Sequence, residues 1–435
     1  MKKCLLILLG IALTMIMPLR TFSQDPPAYA ITNVTIHHAD GSTVSSGKIV
    51  WRNGVIESAG ADVTVPYDAY EIDGGDSLHV YPGFIDGLGH FGAPDLPSSH
   101  ERAEDPGNPG YERAGIQPER SSKNHLDFES SDFESAAKQG ITTASIGLRG
   151  YMLPGKADLF FLNGKKTKDH LYKESTGLQF QFRGAPGGWT NRAYPSTTMG
   201  VMARFRQLMY DAEALHDHIH YYASSEGGMP APTRDEVIES LFDLKKNRIP
   251  MFAILDAPED LERLTILQDE FGFDIVIVSG LGTSYRTDLL IDRNIPVLTS
   301  FQMPVKPNWM QDEGSEPSSP EEERFRERQK KAYEDATQNI RRLLDAGVQT
   351  GFASAGLSIG NLHERIRGLV EEGGLTESEV LSLLTVNTAE ILGIDKKVGK
   401  LEEGFKASFS VFTSPLFEEG TEVKKVISNG VIHEF

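Results

Sequence analysis

The chain has 435 residues, of which 39% are hydrophobic and 24% charged, with a formal net charge of −19 and a sequence pI near 5.1. This composition is ordinary for a globular protein and shows no sign of disorder or of a coiled coil. The acidic balance argues against a nucleic-acid surface, which would need a basic face.

The first 24 residues have the organisation of a secretory signal peptide. Two lysines follow Met1, the run from Cys4 to Met17 is apolar, and a polar stretch leads to Gln24. The apolar run is shorter than the roughly 20 residues that a membrane span needs. We therefore predict cleavage near Gln24, a secreted or periplasmic protein, and no membrane span after cleavage. Cys4 is the only cysteine, so the mature chain would have no disulfide and no thiol nucleophile.

Both ends of the mature chain have the alternating pattern of β-strands. At the N-terminal end we predict strands over 30–36, 48–51 and 55–60. At the C-terminal end we predict strands over 405–411 and 423–432, the second broken by a turn at 428–430. The two β-rich segments, 25–80 and 394–435, are expected to form one small β-sandwich domain.

Between these segments, helices and strands alternate over residues 81–393. A helix over 131–139 stops before a buried strand at 141–146, and a helix over 258–271 stops before a strand at 274–278. Repeated alternation of this kind indicates a parallel sheet covered by helices, and a stretch of about 300 residues suits a closed barrel. We predict the α/β class: a (β/α)8 TIM-type barrel with the small β-sandwich attached.

Two later helices have marked starting signals. Ser319 is expected to cap a helix whose first residue is Pro320 and which runs to Ala346, before a strand over 348–353. Thr376 and Glu379 form a capping box for another helix.

A long segment, residues 92–127, interrupts the alternation with Pro, Gly, Ser and charged residues. A loop of this length in a compact domain is usually a lid or a binding loop. The alternative is a flexible insertion, and the sequence does not decide between the two.

Several segments resemble the amidohydrolase superfamily. Residues 80–90, Val-Tyr-Pro-Gly-Phe-Ile-Asp-Gly-Leu-Gly-His, are similar to that family's first barrel strand, Pro-Gly-x-Ile-Asp-x-His-x-His. Residues 140–143 are similar to its second strand, and residues 387–393 with 398–404 to its C-terminal motif. Residues 195–200 resemble the imidazolonepropionase-like branch. The resemblance implies the barrel and sandwich predicted above, and hydrolysis of non-peptide C–N bonds such as those of cyclic amides.

The resemblance also implies a divalent metal at the mouth of the barrel, held by histidines and by an aspartate that acts as general base. In this sequence Leu88 takes the place of the first histidine, so only His90 of the pair is kept. Ala355 takes the place of the aspartate. The fifth strand has Ile254 or Leu255 where a histidine is common, and the sixth, 275–279, ends without one. One imidazole cannot hold a catalytic zinc, which needs about three protein ligands.

Other residues could replace the missing ligands or act without metal. His216 and His220 are spaced for one face of a helix. His100 and His125, with Asp95, could reach His90 if the long loop covers the mouth. A metal-free acid–base site could use residues near strand ends: Asp86, Asp256, Arg149 and Lys156. The alternatives are a solvated helix end for the first pair and salt bridges or helix caps for the acid–base set. His37, His38 and His433 fall in the sandwich and indicate no site.

Three functions therefore remain open. The first is a degenerate paralogue, without a cofactor, that binds a small molecule or an intact amidohydrolase subunit. The second is an active C–N hydrolase with rearranged ligands for zinc or another divalent metal, or with none; its candidate catalytic residues are Asp86, His90 and Asp256. The third is a surface interaction role for the long loop or the acidic stretch 312–327. A homodimer is possible in each case.

Overall fold

The computed structural model describes residues 27–187, 190–224, 228–246, 248–255, 257–279, 282–311 and 317–435. The predicted signal peptide, Asp256 and the first part of the acidic stretch, 312–316, lie outside these ranges. Within these ranges, no helix is both long enough and apolar enough to span a bilayer.

The strands of the described residues form two sheets. Their bounds are β1 Tyr29–His37, β2 Thr43–Arg52, β3 Val55–Gly60, β4 Tyr70–Pro82, β5 Phe84–Gly89, β6 Ile141–Ile146, β7 Lys156–Phe161, β8 Leu171–Gln181, β9 Met251–Ile254, β10 Ile275–Ser279, β11 Val297–Thr299, β12 Thr350–Phe352, β13 Phe409–Phe412, β14 Val423–Ser428 and β15 Val431–Glu434.

Most of the helices lie between strands of the second sheet. Their bounds are α1 Tyr111–Ala114, α2 Asp132–Ala137, α3 Thr198–Ser224, α4 Glu236–Glu239, α5 Phe242–Lys245, α6 Glu259–Phe271, α7 Thr287–Asp292, α8 Asn308–Gln311, α9 Pro320–Thr337, α10 Asn339–Asp345, α11 Leu362–Glu371, α12 Glu377–Leu384 and α13 Val386–Ile391. Short 3-10 turns cover Ser122–Asn124, Gly164–His170, Thr283–Arg286 and Ile359–Asn361.

The first sheet joins the two ends of the chain, as the sequence predicts. Its order is β15-β14-β13-β4-β1-β2-β3, with β4 between the N-terminal and C-terminal parts. The edge of the sheet at β3 bends back to the segment that precedes β13. There Ile56 donates its N–H to the carbonyl oxygen of Phe405, and Ala407 donates its N–H to that of Gly54. The sheet thereby folds over an apolar core that includes Trp51 and Phe409, whose rings meet edge to face at 5.3 Å.

The second sheet is the barrel sheet, and its eight strands follow chain order from β5 to β12. An apolar cluster takes residues from β5, β7, β9, β10 and β11 and from the residue that follows β12. Side chains from so many strands meet because the sheet is rolled around them. Its first strand is joined to the segment that follows the last strand, where Ala355 donates its N–H to the carbonyl oxygen of Leu88 at 2.9 Å. The predicted α/β barrel with a β-rich domain is therefore the fold of this chain.

One strand departs from the (β/α)8 pattern. β7 runs antiparallel to both β6 and β8, whereas the other neighbours in the barrel sheet are parallel. The connections before and after β7 are short and contain no α-helix. A parallel crossover needs a dozen or more residues. The two connections are too short for that, so β7 runs antiparallel to its neighbours.

The predicted helix signals hold with one correction. Gly272 ends α6 in the left-handed conformation, Ser319 caps α9 with Pro320 at its start, and the capping box of Thr376 and Glu379 begins α12. The expected single helix from Pro320 to Ala346 is wrong, because α9 ends at Thr337 and α10 begins at Asn339. At the break, the buried Asn339 accepts a hydrogen bond at its Oδ1 from the N–H of Ser284 at 3.1 Å.

The long loop, residues 92–127, is tied to the barrel. Gln117 donates its N–H to the carbonyl of Leu153 at 2.8 Å, and Arg120 accepts from the N–H of Lys156 at 2.8 Å. The buried Asp158 accepts from the hydroxyls of Ser121 and Ser122 at 2.5 and 2.9 Å. These bonds argue against a flexible insertion; the role of a lid or binding loop stays a prediction.

Candidate functional site

The positions that the resemblance assigns to metal ligands meet in the structure, but their side chains are apolar. Leu88 is fully buried, and Ile254 and Ala355 are packed against the same apolar cluster. Ala355 has a φ of 50°, a left-handed conformation that costs an alanine about 1 kcal/mol. The bond from its N–H to Leu88 brings the two positions side by side at the mouth.

The donor atoms present do not fit the divalent metal that the fold implies. Of the expected ligand positions, only His90 has an atom that can coordinate a metal, and apolar side chains occupy the others. Among the described residues, no three His, Cys, Asp or Glu side chains are grouped so that they could hold a metal ion. Catalytic zinc requires about three protein ligands, so we derive no chemical step through a metal.

His90 is held in one tautomer. Its Nδ1 lies 2.9 Å from the carbonyl oxygen of Gly147, which can only accept, so Nδ1 carries the proton and Nε2 the lone pair. Burial lowers the pKa of His90, and the nearby guanidinium of Arg149 lowers it further. The imidazole is therefore a neutral hydrogen-bond acceptor.

His90 faces a pocket of about 400 Å³, which we call the His90 pocket. Gly356, whose φ is 83°, lines the same pocket next to the imidazole. A Cβ at this position would lie 3.2 Å from Cδ2 of His90. Glycine at position 356 therefore permits the turn and keeps the imidazole uncovered. The lining residues are His90, Phe91, Asp132, Ser135, Arg149, Ser354, Gly356, Leu357, Ser358, Ile359 and Gly360.

Asp86 is a buried structural residue rather than an accessible acid. It is fully buried, and its Oδ1 accepts from the N–H groups of Leu88 at 3.1 Å and Ser354 at 2.9 Å. Burial raises the pKa of Asp86 to about 6, partly offset by its hydrogen bonds with Ser354 and Leu88. Its Oδ2 has no hydrogen-bond partner among the described residues. The carboxyl group thus joins the first strand to the segment after the last one.

Of the other acid–base candidates in the described residues, Arg149 lies near His90 and Lys156 is held in an ion pair. Arg149 is at the mouth, where it donates to the carbonyl of Ala93 and lies 3.5 Å from Asp95. Lys156 is committed to an ion pair with Asp243 at 3.4 Å. Asp256 lies outside the described residues. Arg149 is therefore the charged side chain of this set that the structure brings next to His90.

His100 and His125 do not join His90. They line a second pocket of about 550 Å³ between the long loop and residues 149–151, which we call the loop pocket. His100 is hydrogen bonded through Nε2 to the hydroxyl of Tyr151 at 3.2 Å, and His125 is exposed. Arg149 lines both pockets.

The helical pair His216 and His220 forms no site in the described chain. His216 packs edge to face on Phe242 at 5.4 Å, and His220 is exposed on α3. In the sandwich, Nε2 of His37 lies 2.9 Å from Nδ1 of His79, so this pair crosslinks β1 and β4. None of these histidines belongs to a group of metal-binding side chains among the described residues.

Two glycines shape the site without being indicated by the sequence. Gly147 holds His90 through its carbonyl, and a Cβ there would lie 2.5 Å from Oε1 of the buried Gln179. Gly356 exposes the imidazole. Neither had a recognisable sequence signal, because each role depends on a residue far away along the chain.

Known proteins resemble this chain in sequence over its C-terminal part and in fold over most of its length. Residues 317–432 match the sequence model of the Amidohydrolase family. A search among curated proteins gives no match. The structure of an amidohydrolase from Thermotoga maritima MSB8 is similar with a TM-score of 0.75 at 20% identity, over 94% of this chain and 100% of that one.

Two further solved structures are similar at lower scores. A prolidase complexed with N-methylphosphonate-L-proline has a TM-score of 0.54 at 15% identity, over 94% of this chain and 99% of that one. A Xaa-Pro dipeptidase with methionine in its active site has a TM-score of 0.51 at 14% identity, over 94% of this chain and 100% of that one. Residues 317–432 are therefore similar to the Amidohydrolase family, and the chain shares the fold of these solved structures.

Proposed function

We propose that this protein is a degenerate amidohydrolase paralogue that binds a small molecule at the His90 pocket without metal-dependent hydrolysis. One observation carries the proposal: Leu88 and Ala355, at the expected ligand positions, are bonded to each other inside an apolar cluster. Metal-dependent hydrolysis requires a metal to lower the pKa of water from about 15.7 to about 7. A site with one imidazole cannot support that step.

The pocket retains groups that suit a polar ligand. The neutral Nε2 of His90 can accept a hydrogen bond from a ligand, and Arg149 supplies a positive charge beside it. A volume of about 400 Å³ lies within the usual range for small-molecule sites. Cyclic amides, whose N–H could donate to Nε2, are the first compounds to test, and the resemblance of residues 195–200 to the imidazolonepropionase-like branch supports that choice.

The first experiment is elemental analysis of the mature protein, purified without chelator from cells supplied with zinc, manganese and iron. We expect less than stoichiometric metal. One tightly held equivalent would overturn the proposal. A second experiment measures binding of cyclic amides to the wild type, to His90→Ala and to the control His433→Ala in the sandwich. Binding should be lost only in His90→Ala.

A second candidate function is metal-independent hydrolysis of C–N bonds. It is favoured by one observation: the neutral His90 lines a pocket, and its Nε2 lone pair could take a proton from water. Turnover of any cyclic amide by the metal-free protein, abolished in His90→Ala, would establish it. Unchanged turnover in that variant would remove His90 from the reaction.

The cellular setting is proposed from the sequence. The first 24 residues would direct the protein out of the cytoplasm, and the domain boundaries at 80/81 and 393/394 would separate sandwich from barrel. An intact amidohydrolase subunit is the protein partner we would test first, with a homodimer as the alternative. Analytical ultracentrifugation of the mature chain, alone and with such a subunit, distinguishes the two.

A further inference from the structure

Helix α9 lies on the surface of the barrel with almost no buried side chain. Of its 18 residues only the last, Thr337, is buried. Its inner side is held by neighbouring segments. Trp309 of α8 donates from Nε1 to the side-chain oxygen of Gln329 at 2.8 Å, and Tyr333 donates from its hydroxyl to Glu372, just after α11. These bonds fix which side of α9 faces outwards.

Four residues define the outward side, which we call the Phe325 face: Glu321, Arg324, Phe325 and Arg328. Phe325 is 52% exposed, and the side chains of Glu321 and Arg324, which form an ion pair at 3.0 Å, are 77% and 67% exposed. Glu321 precedes Phe325 by four residues and Arg328 follows it by three, spacings that place side chains on the same side of a helix. Arg328 is exposed and has no ion pair within the described ranges. The face therefore presents opposite charges on either side of an aromatic ring.

The Phe325 face is complementary to itself. Phe325 stands about midway between Glu321 and Arg328, which are roughly 10 Å apart along the helix axis. When two copies of α9 run antiparallel about a two-fold axis at Phe325, Glu321 of each copy lies opposite Arg328 of the other. The two Phe325 rings then meet at the centre, where aromatic side chains contribute most to an interface. Each copy thus provides the partner charges for the other.

Charge favours a second copy as the occupant of this face. The chain has a net charge of −19, so two copies repel each other over most of their surface. The Phe325 face has one glutamate and two arginines, and in the antiparallel arrangement its acidic groups meet basic ones. A solvated helix that is stabilised by its own ion pairs accounts for the charges, but it gives no reason for an aromatic ring between them.

We propose that the Phe325 face is a self-association surface, where two copies of this protein pair through antiparallel α9 helices. This inference gives the homodimer considered above a specific surface. It goes beyond the proposed function, because it requires nothing of the His90 pocket. A contact centred on two short helices is at the low end of interface sizes, so we expect a Kd of about 10–100 µM.

The first test is sedimentation velocity of the mature protein at concentrations from about 1 to 200 µM, which bracket the expected Kd. The wild type should pass from monomer to dimer. Phe325→Ala should weaken the dimer about tenfold or more, because it removes the aromatic group at the centre. Tyr221→Ala is the matched control, since Tyr221 is 60% exposed on a different helix, α3. A wild type that stays monomeric, or a dimer that Phe325→Ala does not weaken, overturns the proposal.

Exchanging charges tests the antiparallel pairing itself. Glu321→Arg and Arg328→Glu should each weaken the dimer about fivefold or more, because like charges then face each other twice. A mixture of these two variants should form a heterodimer in which opposite charges meet at both positions, and the double variant should dimerise with itself. Glu327→Arg, exposed on the opposite side of α9, is the control and should change the Kd by less than about twofold. Mixed variants that stay monomeric, while circular dichroism shows both to be folded, would refute the pairing.

Discussion

The main-chain N–H of Ala355 donates to the carbonyl oxygen of Leu88 at 2.9 Å, and this bond joins the two ends of the barrel sheet at its mouth. Both side chains lie in an apolar cluster. The backbone therefore keeps two expected ligand positions together, while their side chains offer no donor atom. This relationship can be tested by putting the donors back.

The double variant Leu88→His with Ala355→Asp should create a zinc site, because with His90 it supplies the three protein ligands that catalytic zinc needs. Without metal it should be less stable than the wild type by about 2–4 kcal/mol, since a polar group replaces a buried leucine. Zinc at about 100 times its Kd should then raise the free energy of unfolding by about 2.7 kcal/mol. Thermal melts with zinc and with chelator measure both effects.

Leu88→His alone is the control for that design, because it supplies only two imidazoles. It should respond to zinc much less than the double variant. A strong zinc response of the wild type would mean that the ligands lie elsewhere. No response in a well-folded double variant would mean that the positions are not close enough to share a metal.

Asp86 should make the protein less stable as pH rises from 4 to 7. Its pKa is about 6 in the folded protein and 3.8 in the reference state, so the folded state holds the proton over a pH range where the unfolded state has lost it. By linkage, the free energy of unfolding falls through this range by about 3 kcal/mol. Denaturant titrations of the wild type and Asp86→Asn measure the difference, which should shrink or reverse towards pH 7. A difference independent of pH would contradict the assignment.

His37 should have the opposite dependence. Burial, with the neighbouring His79 and His38, lowers the pKa of His37 from 6.5 to about 4. The unfolded state therefore takes up a proton first as pH falls below 6.5, and stability is lost towards pH 4 by about 2 kcal/mol, since solvent screens part of the effect. His37→Phe can retain the stacking on Tyr81, whose ring lies 4.2 Å away, without the titration.

The measurement for His37 is the difference between wild type and His37→Phe in the free energy of unfolding at pH 4, 5, 6 and 7. The wild type should lose more stability than the variant on acidification. Parallel curves would show that the histidine pair keeps its proton balance on unfolding. Comparing each variant with the wild type also separates this effect from the opposite one at Asp86.

Gly147→Ala should disturb both the barrel and His90. The added methyl group would lie 2.5 Å from Oε1 of Gln179, which is fully buried and cannot move aside easily. Overpacking of this kind costs about 1–3 kcal/mol, and movement of the Gly147 carbonyl would loosen its bond with Nδ1 of His90. Gly110→Ala is the control, because a Cβ there meets nothing within 4 Å. Equal stability of the two variants would contradict the close contact.

Local features of this protein were predictable from its sequence. The capping box at Thr376, the cap at Ser319 before Pro320 and the glycine that ends α6 all appear where the sequence indicates. Each depends on residues within one turn of the chain, so a short pattern contains the information. Alternation of helices and strands was sufficient to predict the barrel, and resemblance to a family supplied the positions expected to hold a metal.

The tertiary structure decided what those positions can do. Residues far apart in the chain meet in the bond between Ala355 and Leu88, in the contact between Gly147 and Gln179, and in the two pockets that share Arg149. The reversed direction of β7 likewise depends on which segments pair. The sequence by itself determined the class of fold and most of the secondary structure, because these follow from local periodicity. The chemistry of the mouth depends on contacts between distant segments, which only the packing of the whole chain specifies.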